Sequence, residues 1–529
     1  MLTTPSSQRG MVTSPHHLAS QAGLDVLREG GTAIEAAIAT GACLAVVYPH
    51  MNALGGDSFW LIVPPSGAPR AVMGVGKAAA DAGLYRGRGL STIPTRGGLA
   101  ANTSAGLVEA WRVAREQDPG EGTLPLKRLF DDAIFHAENG VPVTAGHAAL
   151  AQGKDKELTG DPGYDAIYRP GGKFLVEGER LSQGALAQTL RGLAARGLRD
   201  FYEGDIARAL TDDLEKAGSP VTAAHLARQE ARVVPPLKCC LQNQIEVLNT
   251  PPPTQGLVSL LILALFDRIA PDPTEGVDFV HRAVESFKAA RRIAAKARLG
   301  DPSLMTSDAQ SLLDDHAHLN DVAQAIDLGR ASPWPDPGSD GGTVWFGAVD
   351  RDGTMVSVIQ SIYHEYGSGV VLPETGVTWQ NRGASFGLKE SDPNPIAEGR
   401  EPFHTLNPAA ALLPDGQRMI YGTMGGEGQP QTQSAIFIRR LLFGQPLQAA
   451  ITAPRWLLGR TWGAATNSLK IEDRMPEDVV EALRAAGHDV ELFPSFDSAM
   501  GHAGAILRHT HGRLEGATDP RSDGSVAAW

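Results

Sequence analysis

Residues 338–350 read GSDGGTVWFGAVD, which places Thr343 between a glycine-rich run and the alternating pattern of a β-strand. One interpretation is a surface loop that enters a hairpin. The other is a cleavage site, because a threonine at a new amino terminus carries a hydroxyl nucleophile and a free α-amino base on one residue. An α-amino group has an ordinary pKa of about 7.7–8.0, so a useful fraction is unprotonated at neutral pH. Thr343 is therefore a candidate nucleophile that cleavage would create.

Three histidines, His502, His509 and His511, lie close together in GHAGAILRHTHG and raise the question of a metal site. Histidine is a common metal ligand, but no carboxylate or cysteine is patterned with these three. On a strand, His509 and His511 would share a face that His502 does not. We interpret them as solvated histidines at the end of a strand, and we expect neither a metal nor a cofactor.

Helices and a hairpin are predicted around these candidate residues. Residues 19–29 and 33–47 carry apolar side chains at helical spacing, and residues 184–217 follow an amphipathic helical pattern. After Gly342, the strand patterns VWFGAV and TMVSVIQS are joined by DRDG, a strong turn signal. A further strand is predicted in VVLPETGVTWQ, residues 370–380. Helices followed by a mixture of strands and helices indicate layered packing of α and β elements.

The composition is typical of a globular protein with a large core. The chain has 529 residues, 42% of them hydrophobic, so it could form two to four domains or one large intertwined domain. Its net charge of −13 argues against nucleic acid or an anionic membrane as a partner. No apolar run reaches the roughly 18 residues that span a bilayer. Cys43, Cys239 and Cys240 form no disulfide framework, so we expect reduced thiols and a cytoplasmic location.

Several stretches, in their shared order and spacing, resemble the γ-glutamyltransferase family of N-terminal-nucleophile hydrolases. The first part of the chain contributes GMVTSPHHLASQAGLDVLREGGTAIEAAIAT, VVYPHMNALGGDSF, FYEGDIARAL, PPPTQG and HRAVESFKAARRIAAKARLGDP. The later part adds GGTVWFGAVDRDG, EYGSGVVLPETGV, PFHTLNP, GTMGGEGQPQTQ, TAPRW and GATDPRSDG. Each motif alone is weak evidence, but together they cover the chain from about residue 9 to residue 529. The segments TVWF, WQNRGASF and PFHTLNP are also similar to the oxamate amidohydrolase branch of the family.

The resemblance implies an α/β (α+β) fold, a four-layer αββα sandwich of the N-terminal-nucleophile hydrolase type. It also implies that the precursor cuts itself before a threonine, and the DRDG hairpin aligns that threonine with Thr343. Residues 1–342 would then form a large subunit and residues 343–529 a small one, together one interlocked domain. Such αβ units could pair as dimers.

The resemblance further assigns supporting roles beside the nucleophile. Gly425 and Gly426 match a glycine pair whose N–H groups hold the oxyanion of the tetrahedral intermediate, a role for which glycine lets the backbone come close. Ser361 matches a second hydroxyl residue, usually threonine, that hydrogen-bonds the nucleophile. The alternatives are an ordinary Gly-Gly turn and a buried serine bonded to the backbone.

The residues with which the transferases hold glutamate are absent from this sequence. Met73 and Gly74 stand where the family has an Arg-Glu pair, whose arginine binds the glutamate α-carboxylate. Ser385 stands where the family has the aspartate that binds the α-amino group. Without these charges, a buried glutamyl group would leave its own charges unpaired, so selectivity for glutamyl substrates should be lost.

A different set of residues occupies the positions expected to contact the substrate. His404 and Thr405, in PFHTLNP, replace a Ser-Ser pair that helps the transferases bind the carboxylate. Tyr363 replaces an asparagine on the strand after the nucleophile, and Arg382, preceded by Asn381, lies in WQNRGASF. We expect these five residues to bind the substrate.

Arg382 determines which substrate is expected. An arginine fork suits bidentate capture of a carboxylate. Close to Thr343, it would suit a short substrate whose carboxylate lies next to the scissile amide, and oxamate is such a molecule. The alternative is that Arg382 pairs with a carboxylate of the protein, such as Asp57 in GGDSF.

Four hypotheses for the function follow. The first is an autoprocessed threonine amidohydrolase that acts on a small carboxylate-bearing amide, converting oxamate to oxalate and ammonia. The second is a γ-glutamyltransferase or glutathione hydrolase with an altered clamp, and the third an acylase for larger groups such as glutaryl, against which Arg382 argues. The fourth is an uncleaved, inactive member that serves in binding or assembly, against which the retained Thr343, Gly425 and Gly426 argue.

Overall fold

The computed structural model describes residues 3–118, 124–269, 274–334, 342–460 and 466–529. The strands are Ser6–Ser7 (β1), Met11–Ser14 (β2), Asp57–Val63 (β3), Arg70–Gly74 (β4), Val141–Pro142 (β5), Arg180–Leu181 (β6), Arg232–Val234 (β7), Leu237–Cys240 (β8), Glu246–Asn249 (β9), Gly342–Val349 (β10), Met355–Tyr363 (β11), Ala409–Leu412 (β12), Arg418–Thr423 (β13), Trp456–Leu458 (β14), Leu469–Glu472 (β15), Val490–Phe493 (β16), Ala503–Arg508 (β17), Leu514–Thr518 (β18) and Ser525–Ala528 (β19).

The α-helices are His17–Arg28 (α1), Ala33–Val47 (α2), Ala82–Arg86 (α3), Leu107–Glu116 (α4), Leu126–Asn139 (α5), Ala145–Gly153 (α6), Asp155–Leu158 (α7), Pro162–Tyr168 (α8), Gly184–Arg196 (α9), Asp200–Glu203 (α10), Asp205–Lys216 (α11), Ala223–Ala227 (α12), Gly256–Ile269 (α13), Val277–Lys296 (α14), Ala309–Asp314 (α15), His316–Gln324 (α16), Gln429–Phe437 (α17), Leu447–Thr452 (α18) and Glu477–Ala485 (α19). None of the helices in the described ranges combines the length and the apolar character that a membrane crossing requires.

Two large β-sheets face each other at the centre of the molecule. The first sheet has the order β19-β2-β10-β11-β3-β4-β7, and the second has the order β1-β18-β17-β13-β12-β9-β8. Between them, Met11 and Leu61 of the first sheet pack with Ile420 and Ile506 of the second. Both sheets contain strands from before and after Thr343, so the two parts of the chain share one core.

Helices cover the outer face of each sheet. Helices α1, α2 and α4 contact strands of the first sheet, and α13, α15 and α17 contact strands of the second. Helix α2 is buried along its whole length, and Thr32 and Glu35 close its amino terminus with a reciprocal capping box. The layers therefore follow the order αββα, and the predicted four-layer sandwich is confirmed.

The predicted elements are mostly confirmed, with two corrections. Helices α1 and α2 lie where residues 19–29 and 33–47 predict them. The pattern over residues 184–217 resolves into three helices, because α9 ends at Gly197, which has a φ of 93°, and Gly204 separates α10 from α11. The strand predicted over residues 370–380 is wrong, since the chain turns back on itself there and makes only isolated bridges.

The two sheets approach each other closely where a glycine of β13 faces a tryptophan of β10. Trp345 is 2% exposed, and a β-carbon added at Gly422 would overlap its indole ring. We expect Gly422→Ala to lower the free energy of unfolding by about 1–3 kcal/mol, because the sheets must separate to admit the methyl group. Urea unfolding measures this, with Gly146→Ala in α6 as the matched control, since its β-carbon would meet nothing within 4 Å. Equal stabilities of the two variants would contradict this packing.

Candidate active site

Thr343 is buried inside the sandwich, near the start of β10. Its side chain is 0% exposed, and its Oγ1 donates a hydrogen bond of 3.2 Å to Ser361 Oγ on the neighbouring strand β11. The pairing of β10 with β11 shifts register between Gly342 and Val344, at Thr343 itself. Such irregularities re-aim a side chain and are common beside active sites. The glycine-rich run before Gly342 extends over residues 335–341, which lie outside the described residues.

Ser361 connects the candidate nucleophile with Arg382. Its Oγ receives hydrogen bonds from Thr343 Oγ1, from the Tyr363 N–H at 2.8 Å and from Arg382 Nη2 at 3.2 Å. Only two hydrogen bonds therefore separate the threonine hydroxyl from the guanidinium. The role expected for Ser361, a hydroxyl bonded to the nucleophile, agrees with this geometry.

Arg382 carries a buried charge that the protein leaves partly unsatisfied. It opens a short 3-10 turn, Arg382–Ser385, and its side chain is 0% exposed. Its Nε and Nη1 atoms find no hydrogen-bond partner among the residues described. Burial lowers the pKa of Arg382 to about 10, so the group still carries its charge at neutral pH. Buried donors without partners are rare in proteins, and here they indicate a place for an anionic ligand.

Asp57, which pairs with Ser361 across β3 and β11, lies near enough to Arg382 for its charge to raise the pKa of the guanidinium, but it is held by other partners. Its Oδ1 accepts hydrogen bonds from two backbone N–H groups at 2.8 Å each and from Gln380 Nε2 at 3.0 Å. Its Oδ2 lies 3.1 Å from His404 Nε2. The described residues form no ion pair between Asp57 and Arg382, so the alternative partner considered for the arginine is not the one observed.

His404 and Thr405 lie in the same buried site. Burial, together with the charge of Arg382, lowers the pKa of His404 to about 4, so its imidazole is neutral at pH 7. Thr405 Oγ1 is buried and has no partner within the described chain. Gln255 Nε2 donates to the carbonyl oxygens of Thr405 at 2.8 Å and of Gly426 at 2.9 Å. Gln255 thus fixes the His404–Thr405 segment against the glycine turn.

Gly425 and Gly426 form a tight buried turn after β13. Their φ angles are 126° and 53°, values that favour glycine. Neither backbone N–H donates a hydrogen bond within the described part of the chain. Two uncommitted N–H groups in a buried turn are what an oxyanion hole requires.

Two close approaches between β10 and β13 indicate how these facing strands are aligned. A β-carbon at Gly347 would touch Ile420, and one at Gly422 would touch Trp345. Gly347 therefore lies opposite Ile420 and Trp345 opposite Gly422, so the two strands run in opposite directions along this contact. Extending this alignment by one step predicts that Thr343 lies opposite Met424, the residue just before the glycine pair.

Tyr363 and Asn381 shape the site in different ways. Tyr363 has a φ of 77°, uncommon for a residue with a side chain, and its ring lies 4.1 Å from the Arg382 guanidinium carbon. The Asn381 side chain accepts from the His364 N–H at 3.0 Å and donates to the Thr95 carbonyl at 2.9 Å. Tyr363 therefore packs against the Arg382 guanidinium, whereas Asn381 connects the segments around His364 and Thr95.

The chain matches the Gamma-glutamyltranspeptidase family over residues 19–529. This chain belongs to the γ-glutamyltranspeptidase family. The family relationship agrees with the αββα layers and with the buried threonine at their centre.

Relatives of this family member include several hydrolases. An oxamate amidohydrolase proenzyme of Klebsiella pneumoniae is 50% identical over 528 residues, which cover 99% of both chains. A glutathione hydrolase-like proenzyme of Bacillus subtilis, YwrD, is 38% identical over 521 residues and 98% of both chains. The crystal structure of cephalosporin acylase from Bacillus halodurans has a TM-score of 0.90 and 32% identity, covering 100% of this chain and 97% of that one. The chain is thus a hydrolase of the N-terminal-nucleophile type, and the predicted fold and enzyme class are confirmed.

The positions at which this γ-glutamyltranspeptidase family member departs from the glutamate clamp supply no charge. Met73 is 1% exposed and packs in a small apolar cluster with Phe59 and Trp345. Ser385 Oγ donates to the Phe403 carbonyl at 3.3 Å. Neither position offers a partner for a glutamate α-carboxylate or α-amino group.

Three residues of the site were not predicted from the sequence: Gln255, Gln380 and, in its observed role, Asp57. Gln255 lies in PPPTQG and Asp57 in GGDSF, two of the motifs that carry the family resemblance. Their presence in those motifs was the sequence signal that could have marked them as residues of the site. Their partners lie far away in sequence, so the contacts themselves could not be predicted.

The three histidines of GHAGAILRHTHG do not converge on a common point. His502 is buried, with Nδ1 3.2 Å from the Tyr48 hydroxyl and Nε2 2.7 Å from Ser498 Oγ. His509 lies beside Glu515, with its Nε2 3.2 Å from a carboxylate oxygen. The interpretation of His502 as solvated is therefore wrong, because it is buried just before β17.

A different group, His281, Glu285 and His488, brings its ligand atoms within 4.8 Å of one another. These atoms are engaged with each other and with the protein. His281 Nδ1 lies 2.8 Å from His488 Nε2, and its Nε2 lies 3.0 Å from the Asp327 carbonyl oxygen. Lys288 Nζ donates to Glu285 at 2.6 Å. The group links α14 to two later segments of the chain, at Asp327 and His488, through hydrogen bonds.

Buried neutral histidines predict how stability depends on pH. Burial lowers the pKa of His147, His404 and His502 to about 4 each, against an ordinary value of about 6.5. Between these values the unfolded chain binds more protons than the folded one. Each histidine therefore contributes up to about 3 kcal/mol that is fully present above pH 6.5 and lost as the pH falls towards about 4. Urea unfolding at a series of pH values measures this loss, and a constant stability from neutral pH to about pH 4.5 would contradict it.

Proposed function

We propose that this chain is an autoprocessed threonine amidohydrolase that hydrolyses oxamate, a short carboxylate-bearing amide, to oxalate and ammonia. The observation that carries the proposal is Arg382, a buried guanidinium with unpartnered Nε and Nη1 atoms among the described residues, two hydrogen bonds away from Thr343 Oγ1. The 50% identity with an oxamate amidohydrolase proenzyme over nearly the whole chain supports it.

Cleavage creates the catalyst. In the precursor, Thr343 Oγ attacks the Gly342 carbonyl carbon, the peptide bond shifts to an ester, and water hydrolyses that ester. The products are a large subunit, residues 1–342, and a small subunit, residues 343–529, whose first residue has a free α-amino group. Because both sheets contain strands from each subunit, the two remain associated.

Each turnover then uses the same hydroxyl. The α-amino group of Thr343 takes the hydroxyl proton while Oγ attacks the amide carbon of the substrate. The N–H groups of Gly425 and Gly426 stabilise the oxyanion, and the α-ammonium returns its proton to the departing ammonia. Water then attacks the oxalyl ester, which releases oxalate and restores the hydroxyl. Ser361 keeps the threonine side chain oriented throughout.

The distance between the arginine and the nucleophile selects short substrates. In oxamate the carboxylate is bonded directly to the amide carbon, so a carboxylate held by Arg382 places that carbon near Thr343. A γ-glutamyl group carries its α-carboxylate three carbons from the scissile amide and also needs a partner for its ammonium. Met73 and Ser385 supply neither partner.

Ammonia release from oxamate, measured beside chromophore release from a γ-glutamyl anilide, tests the proposal. We expect the matured protein to release ammonia from oxamate and no chromophore above background from the anilide. The physical reason is that Arg382 matches a carboxylate adjacent to the amide, whereas the glutamyl charges would be buried without partners. Turnover of the anilide alone would mean that this chain is a glutathione hydrolase with a rebuilt clamp.

A further inference from the structure

His404 is held rigidly beside Arg382. Its backbone N–H donates to the Pro253 carbonyl at 2.9 Å, and its carbonyl accepts from the Gln255 N–H at 2.9 Å. The imidazole ring packs edge-on against Phe59, with ring centroids 4.7 Å apart. The ring is 0% exposed, so its two nitrogens have fixed surroundings.

Asp57 determines which nitrogen of His404 carries the proton. The Oδ1 atom of Asp57 is occupied by three N–H donors. Its Oδ2 lies 3.1 Å from His404 Nε2, in a charge contact that is not aligned as a hydrogen bond. A neutral imidazole has one proton, and a lone pair on Nε2 would repel the carboxylate oxygen. The proton therefore belongs on Nε2, which leaves Nδ1 as an acceptor.

The Nδ1 atom of His404 is thus a buried acceptor that lacks a donor. Like Nε2, it has no hydrogen-bond partner among the residues that the structure describes. A substrate carboxylate cannot satisfy it, because two acceptors would face each other. Oxamate carries an N–H donor two bonds from its carboxylate carbon, and a buried acceptor left without a donor is costly.

We propose that His404 Nδ1 accepts a hydrogen bond from the amide N–H of the substrate and so makes the enzyme selective for amides over esters of the same acid. This inference rests on the proposed function and deepens it. It gives His404 a different role from the carboxylate contact that the family resemblance implies for this position. Accepting from the N–H also raises electron density on the nitrogen that must be protonated as it leaves.

Asp57→Asn is the sharpest test, because it is nearly isosteric. The three N–H donors keep the amide oxygen of the new side chain at the Oδ1 position, so its NH₂ group faces His404 Nε2. The proton of the imidazole must then move to Nδ1, which converts the acceptor into a donor. We expect the ratio of kcat/KM for oxamate to that for monomethyl oxalate to fall about 10- to 100-fold. His404→Leu should lower the same ratio, and His404→Asn, which keeps an acceptor near Nδ1, should restore part of it.

The outcomes separate this inference from the proposed function. An unchanged ratio in Asp57→Asn, with oxamate turnover in the wild type, overturns the role of His404 and leaves the proposed function intact. Equal losses on both compounds also overturn it, since they indicate a purely structural role. A wild-type protein that hydrolyses neither compound overturns the proposed function and this inference together. Gel bands of the cleaved subunits show that each variant has matured. A wild-type kcat/KM that is no higher for oxamate than for monomethyl oxalate also overturns the inference.

Discussion

Thr343→Ala is expected to run as one band at the full mass of 55.9 kDa and to release no ammonia from oxamate. The wild type is expected to give two bands of about 36 and 20 kDa, from scaling the mass with length. The substitution removes the hydroxyl that performs both the cleavage and the turnover, so both are lost at once. A denaturing gel and an ammonia assay on the same preparation measure this.

Thr343→Ser is the matched control for this variant. It keeps the hydroxyl and, after cleavage, the α-amino group, so we expect two bands and measurable oxamate hydrolysis. The loss of the γ-methyl group removes packing but no reacting atom. Two bands of the same sizes from Thr343→Ala would show that the hydroxyl of this residue does not perform the cleavage.

Arg382→Gln is expected to lower kcat/KM for oxamate by about 30- to 5,000-fold in the matured enzyme. The variant removes the buried guanidinium whose Nε and Nη1 have no partner in the described chain, and with it the binding site for the carboxylate. Steady-state kinetics on the cleaved protein measures the loss, and most of it should appear as a higher KM. A wild-type KM in matured Arg382→Gln would show that the carboxylate binds elsewhere.

Two further variants serve as controls for Arg382→Gln. Arg382→Lys keeps a positive charge but not the planar fork, so its kcat/KM should lie between those of the wild type and Arg382→Gln. Arg439 is a second buried arginine, 1% exposed, whose guanidinium pairs with Glu275 at 2.7 Å. Arg439→Gln should change stability and leave the KM for oxamate near the wild-type value, because its partner is a carboxylate of the protein.

Motif order was enough to predict the candidate nucleophile and the glycine turn. Thr343, Gly425 and Gly426 lie in segments that resemble motifs of the family, and the resemblance assigned their roles. The outer helices were predictable for a similar reason. Helix α2 has a capping box and a largely apolar sequence within one short segment.

The surroundings of Arg382 could not be predicted, because they depend on contacts between distant parts of the chain. Asp57 was the carboxylate considered from the sequence as an ion-pair partner of Arg382. Its Oδ1 instead accepts hydrogen bonds from the backbone N–H groups of Gly76 and Gly106 and from the Gln380 amide. The failed strand over residues 370–380 has a related cause. Its apolar side chains face buried neighbours in a turning loop, which gives a strand-like pattern without a strand.

The most direct test of the central claim is the amino-terminal sequence of the small fragment from the wild-type protein. We expect it to begin Thr-Val-Trp-Phe-Gly, so that the buried hydroxyl bonded to Ser361 belongs to a residue with a free α-amino group. A fragment that begins at any other residue, or a catalytically active protein that remains one chain, would contradict the assignment of Thr343 as an amino-terminal nucleophile.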